Sequence, residues 1–119
     1  MTIDELVAQW RGHEFDSSTG LTAEFAAFAK EFAKAVTADL SDVFVVSIHR
    51  GHFEMSGFVQ NQATQRWAYW SISDVRFSPD QWADHVLIRT ASHDHDFTGG
   101  PNQFIALTDL RHAALRLTS

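Results

Sequence analysis

Two histidines and two carboxylates occupy four consecutive positions, His93-Asp94-His95-Asp96, just ahead of Phe97, Thr98 and a Gly99-Gly100-Pro101 turn. Imidazole nitrogen and carboxylate oxygen together suit a divalent cation such as zinc. Such a metal generates hydroxide near neutral pH or neutralises charge on a phosphoryl group. In an extended segment His93 and His95 project to the same side, and Asp96 follows them closely. His49 or His52 completes the shell if their hairpin lies nearby. That hairpin, His49-Arg50-Gly51-His52, is a second candidate, because a tight turn there presents a guanidinium and two imidazoles to an anion or a metal. The plainer reading of both stretches is a solvated polar loop and a strand end facing water, since a short His-rich tract is only a compositional hint.

Other chemistries find little to use. The chain has no cysteine, which removes disulfides, thiolate nucleophiles and thiolate-bound metals. It has no Gly-x-Ser-x-Gly, no P-loop and no dinucleotide fingerprint. Thr98-Gly99-Gly100 lacks the following helix start that a phosphate cradle requires. The His93–Asp96 stretch resembles the His-x-His-x-Asp-His motif of metallo-β-lactamase-fold hydrolases but departs from it at once. Its aspartate comes one residue early, Phe97 and Thr98 supply no ligating histidine, and that fold is far longer than 119 residues. Nor do the His-Asp pairs sit in the helical setting of HD-type phosphohydrolases.

The elements that must position these groups follow from hydrophobic period. Thr2 and Glu5 have capping-box spacing before an apolar face of Ile3, Leu6, Val7 and Trp10, and Gly12 is a stop. Residues 14–20 read as a loop. Thr22 caps a second helix whose stripe is Leu21, Phe25, Phe28, Phe32, Val36 and Leu40. From residue 43 the period becomes two, giving strands over 43–50, 52–61 and 66–75 joined by short turns, an antiparallel meander. Phe44, Val46, Ile48, Phe53, Met55, Val59, Trp70 and Ile72 form the face expected to receive the Phe-rich helix. Pro79 and the cap Ser78 open a short helix ending at Asp84. Residues 86–91 form a fourth strand and 92–102 a polar loop. Leu107, Leu110, Ala114 and Leu117 mark a final helix capped by Thr108. The expectation is one α+β domain over residues 1–119. It has a three- to four-stranded antiparallel meander with two N-terminal helices and one C-terminal helix packed on it.

Composition narrows the partners. Nine Lys and Arg against fifteen Asp and Glu give a formal charge of −6, and the basic residues are scattered singly. Duplex nucleic acid, which requires clustered positive charge, is therefore disfavoured. A basic protein partner, such as a nucleic-acid-processing complex, is favoured. The acidic, amphipathic N-terminus is unlike a signal peptide, and no apolar run approaches bilayer-spanning length. A cytoplasmic, membrane-free location is expected. Trp67 and Tyr69 alternate with core-facing Ala68 and Trp70, so they point away from the Phe-rich helix. They are either interface anchors or a surface that Trp10 and the first helix cover as a second layer.

Three C-terminal stretches carry a resemblance: residues 71–76 (SISDVR), 82–91 (WADHVLIRTA) and 96–102 (DFTGGPN). Together they resemble small uncharacterised proteins of bacterial phages, plasmids and integrative elements. The resemblance implies a setting in which short acidic proteins block host defences, the anti-CRISPR type included. Within it Asp74, Arg76, Asp84, Arg89, His93, Asp96 and Asn102 are polar residues at strand ends and in the following loop. They form either ion pairs that fix the loops or one polar recognition patch at a sheet edge. The leading expectation is a non-enzymatic binding protein with no cofactor, contacting its partner through Trp67, Tyr69, Asp74, Arg76, Asp84, Arg89 and Asn102. The competing expectation is a small divalent-metal hydrolase or nuclease built on His93, His95 and Asp96. A third is a structural subunit that self-associates through Trp67 and Tyr69.

Overall fold

The computed structural model describes residues 1–15, 21–76 and 80–119, and for Leu21 and Thr22 the backbone alone. The expected caps Thr22, Ser78 and Pro79, the Leu21 side chain and residues 16–20 of the first loop lie outside this description. The chain is α+β, with a five-stranded antiparallel sheet whose spatial order follows the sequence. Helices α1 (Ile3–Trp10) and α2 (Leu21–Leu40) precede strands β1 (Phe44–Arg50), β2 (Met55–Asn61) and β3 (Trp67–Ile72). A one-turn helix α3 (Gln81–Asp84), strands β4 (Val86–Ala91) and β5 (Gln103–Ile105), a 3-10 turn (Leu107–Asp109) and helix α4 (Leu110–Thr118) follow.

Local chemistry accounts for most of these boundaries. Thr2 Oγ1 accepts from the Glu5 amide at 3.1 Å while the Thr2 amide donates to Glu5 at 3.2 Å, so the capping box that starts α1 is complete. Gly12 follows the helix at φ +76°, where a side chain would be strained. Phe25, Phe28, Phe32, Val36 and Leu40 of α2 are all fully buried, as their spacing requires. They meet Phe44, Met55, Val59, Trp70 and Ile72 from the sheet in one hydrophobic core. Phe28 also touches Trp82 of α3 at 5.0 Å between ring centroids.

The differences from expectation have physical reasons. β2 starts at Met55 because the Gly51 amide donates to Glu54 O, which closes a turn over the two residues between. β3 ends at Ile72, before Asp74 bends the chain. The fifth strand, Gln103–Ile105, is a three-residue edge with no period of its own, and pairing with β4 defines it. Thr108 sits inside the 3-10 turn that leads into α4, and no side chain caps that helix. The C-terminal helix docks on the sheet. Its buried Thr118 accepts a hydrogen bond at Oγ1 from Asn61 Nδ2 at 3.2 Å, while Asn61 Oδ1 accepts from the Ala63 and Thr64 amides in the β2–β3 turn.

All four helices pack on the same side of the sheet. Strand alternation therefore sends one set of residues into the core and the other to a face that carries no helix among the described residues. No described helix is long and apolar enough to cross a membrane.

Candidate functional site

Cross-strand register aligns Ser47, Phe58, Tyr69 and Arg89 in one row across β1 to β4 on the open face. Val45, Gln60, Trp67 and Ala91 form the row on one side of it, and His49, Ser56, Ser71, Leu87 and Phe104 the row on the other. A helix-free face should leave such side chains wet, yet Phe58 is fully buried. The cover is the loop after β4. Phe97 meets Phe58 edge-on at 5.5 Å and Tyr69 at 5.9 Å, and His95 meets Phe58 at 5.9 Å. Helix α1 is not that cover: it packs on α2, and Trp10 stacks on Phe15 and meets Phe28 edge-on. Trp67 and Tyr69 stay half-buried on the open face.

Two polar groups hold the loop down. Asp96 is buried and uses both carboxylate oxygens. Oδ2 accepts from the Ser92 amide and hydroxyl, each at 2.8 Å, and Oδ1 from the Thr98 amide at 3.0 Å and hydroxyl at 3.1 Å. Those donors, led by the Ser92 and Thr98 amides, hold its carboxyl far below the usual carboxylate range. Arg89, also buried, lies over the Tyr69 ring at 4.5 Å and donates to Asp96 O at 3.0 Å and Thr90 O at 3.3 Å. The two glycines complete the fit. A Cβ on Gly99 would lie 2.0 Å from Thr90 O, and one on Gly100 2.3 Å from Thr90 Oγ1.

The metal-ligand candidates are dispersed by this arrangement. Asp96 cannot take a cation without giving up hydrogen bonds that shape the loop. His93 is exposed, with Nδ1 2.6 Å from Asp94 O. His95, at φ +64°, turns back over Phe58, and its ring lies 5.6 Å from that of His49. Among the described residues no group of three or more His, Asp and Glu side chains is arranged to hold a metal ion. The hairpin also divides its residues by strand alternation. His49 is on the open face, whereas Arg50 lies on the helix side over Phe25 at 5.0 Å.

The polar residues of the C-terminal half separate into local pairs. Asp74 binds Arg76 through its side chain at 2.6 Å and its amide at 2.9 Å, and Arg76 covers the Phe53 ring at 4.0 Å. Asp84 forms a two-pronged pair with Arg11, the residue that follows the C-terminus of α1, at 2.7 and 2.6 Å. In each pair the arginine's hydrogen bonds lower the carboxylate pKa. Asn102 is exposed before β5. These residues thus fix loops at several places rather than forming one patch.

The apolar exposure is concentrated instead. Apart from Met1, the exposed large hydrophobic residues among those described are Val45, Phe97 and Phe104, at 54%, 62% and 52%, and all three belong to the open face. At the β1–β2 turn a recess of about 450 Å³ is lined by His49, Arg50, Glu54, Ser56, Tyr69 and Ser71. Sequence period had separated Trp67 and Tyr69 from the core but not identified Phe58, Phe97 or Phe104. The available signal was the phase of Phe58 against Val59, which places it on the far face. No family model, curated protein or solved structure matches the chain.

Proposed function

We propose that the chain is a non-enzymatic protein-binding module that receives its partner on the open sheet face. In this reading it inhibits a nucleic-acid-processing host defence complex on behalf of a mobile genetic element. The observation that carries the reading is the exposure of Val45, Phe97 and Phe104, all on the one face that carries no described helix and that also holds half-buried Trp67 and Tyr69. Exposed apolar and aromatic side chains sharing one sheet face favour a protein contact. The net charge of −6 favours a basic partner, and the C-terminal resemblance supports the mobile-element setting. The test is affinity capture from host lysate with the wild-type chain and with Phe97→Ser/Phe104→Ser, followed by mass spectrometry. A nuclease or other nucleic-acid-processing complex retained by the first and lost by the second supports the proposal. Equal retention by both, or none by either, removes it.

One contact favours a second reading as a metal-dependent hydrolase: the His49 and His95 rings face each other at 5.6 Å beside the open-face recess. Stoichiometric zinc in the purified protein, lost in His49→Ala, is its requirement.

A further inference from the structure

Among the described residues, three cations on this acidic chain have no anionic or hydrogen-bond partner. Arg11, Arg76 and Arg111 sit in ion pairs with Asp84, Asp74 and Asp42. Arg66, Arg89 and Arg116 donate hydrogen bonds to Ser119 O, to loop carbonyls and to Gln103. Among the described residues, Lys30, Lys34 and Arg50 form neither an ion pair nor a hydrogen bond. All three border one groove. Lys30 and Arg50 line a recess of about 270 Å³ floored by Ala26, Ala29, Ala33, Ile48 and Met55. Lys34 borders a further recess that shares Ala33 and runs along α2 to Ala38.

The groove runs beside a strand edge that is open for pairing. The Gln62 amide donates to Val43 O at 3.0 Å, and the Gly51 amide to Glu54 O at 2.9 Å, so odd-numbered residues of β1 bond inward to β2. Phe44, Val46, Ile48 and Arg50 therefore turn their amides and carbonyls outward. No strand lies beyond β1 among the described residues. A seven-residue edge of this kind is a template for a further strand.

We propose that this edge takes an acidic peptide segment in extended conformation, added to the sheet as a strand beyond β1. Its main chain pairs with Val46 and Ile48, its small or aliphatic side chains enter the alanine-floored groove, and its carboxylates meet Lys30, Lys34 and Arg50. Charge selects the occupant. Two copies of this chain paired edge to edge would bring the same cations together, so the groove opposes self-association. Nucleic acid would satisfy the cations but cannot continue the ladder of backbone hydrogen bonds. The site is independent of the open-face reading, because it uses the edge and helix side of β1 and none of Phe97, Phe104 or Tyr69.

The test uses the full chain and a blocked hexapeptide, Glu-Glu-Val-Val-Glu-Glu, which as a strand presents two carboxylates flanking a valine on either face, followed by amide chemical shifts. The expected result is perturbation of Val46, Ile48 and α2 residues 26–38. Affinity should fall with salt and drop at least about tenfold in Lys30→Glu/Lys34→Glu. A peptide N-methylated at every residue, with no amide left to donate from either edge, should lose binding. Several outcomes overturn the proposal: no shifts at millimolar peptide, equal binding of a lysine-valine peptide, retained binding of the N-methylated peptide, or shifts confined to Tyr69 and Phe97. Tighter binding of single-stranded oligothymidylate at the same residues overturns it in favour of nucleic acid.

Discussion

Arg89 Nη2 donates to the main-chain oxygen of Asp96 at 3.0 Å, so a strand side chain grips the loop that lies across its own sheet. Arg89→Ala leaves the Asp96 carbonyl without its donor, leaves Thr90 O with the Gly100 amide alone and uncovers Tyr69. Stability should fall by about 2 to 3 kcal/mol, read by chemical denaturation. Arg89→Lys should recover only part of this, because an ammonium cannot fork between two carbonyls or stack flat on the ring.

Asp96 predicts the acid limb of stability. Its folded pKa is depressed by the Ser92 and Thr98 donors relative to an unfolded value of about 3.9. Its contribution is therefore complete above that unfolded value and lost as pH falls through the lower folded one. The wild-type midpoint should be insensitive to Asp96 across neutral pH. Asp96→Asn should be less stable there, and the gap between the two should close as pH drops below about 4. Urea midpoints measured from neutral pH into the acid range check this.

Gly99 and Gly100 should differ sharply. A methyl on Gly99 meets the Thr90 carbonyl, which belongs to β4 and cannot move freely, whereas one on Gly100 meets the Thr90 hydroxyl, which can rotate away. Gly99→Ala should cost about 1 to 3 kcal/mol and Gly100→Ala less than half as much. Thermal unfolding of the two variants side by side gives the comparison.

Phe58 and Phe97 touch each other but carry different burdens. Phe58→Ala empties a fully buried site and should cost about 3 kcal/mol. Phe97 is 62% exposed, so Phe97→Ser should cost under about 1 kcal/mol while removing partner capture. A Phe97 variant that unfolded as readily as the Phe58 variant would show that the loop is a folding element first.

The legible part of this molecule is the part ruled by local period. The α2 stripe, the capping box at Thr2 and Glu5 and the meander all follow from residue spacing, and the structure has them. β5 was hidden because three residues contain no period. The fold-back of the loop was hidden because it depends on Phe97 reaching Phe58, nearly forty positions away, which register alone brings close. His93, His95 and Asp96 looked like one ligand set in the chain. In three dimensions each faces a different neighbour, because the carboxylate is consumed by its own loop. Lys30 and Lys34 were unremarkable among nine basic residues until the others had found their partners, and Arg50 had been read with the histidines of its hairpin.

A sheet padded with helices on one side alone divides its positions between two kinds of natural history. On the padded side almost any change disturbs packing, so that half of the protein must be inherited nearly intact. On the bare side, Val45, Phe97 and Phe104 support little of the fold and can be rewritten one at a time. Phe58, Arg89 and Asp96 are the exceptions that keep the rewritten surface in place. A lineage facing a partner that keeps changing could thus alter what this face recognises without first having to rebuild the protein that presents it.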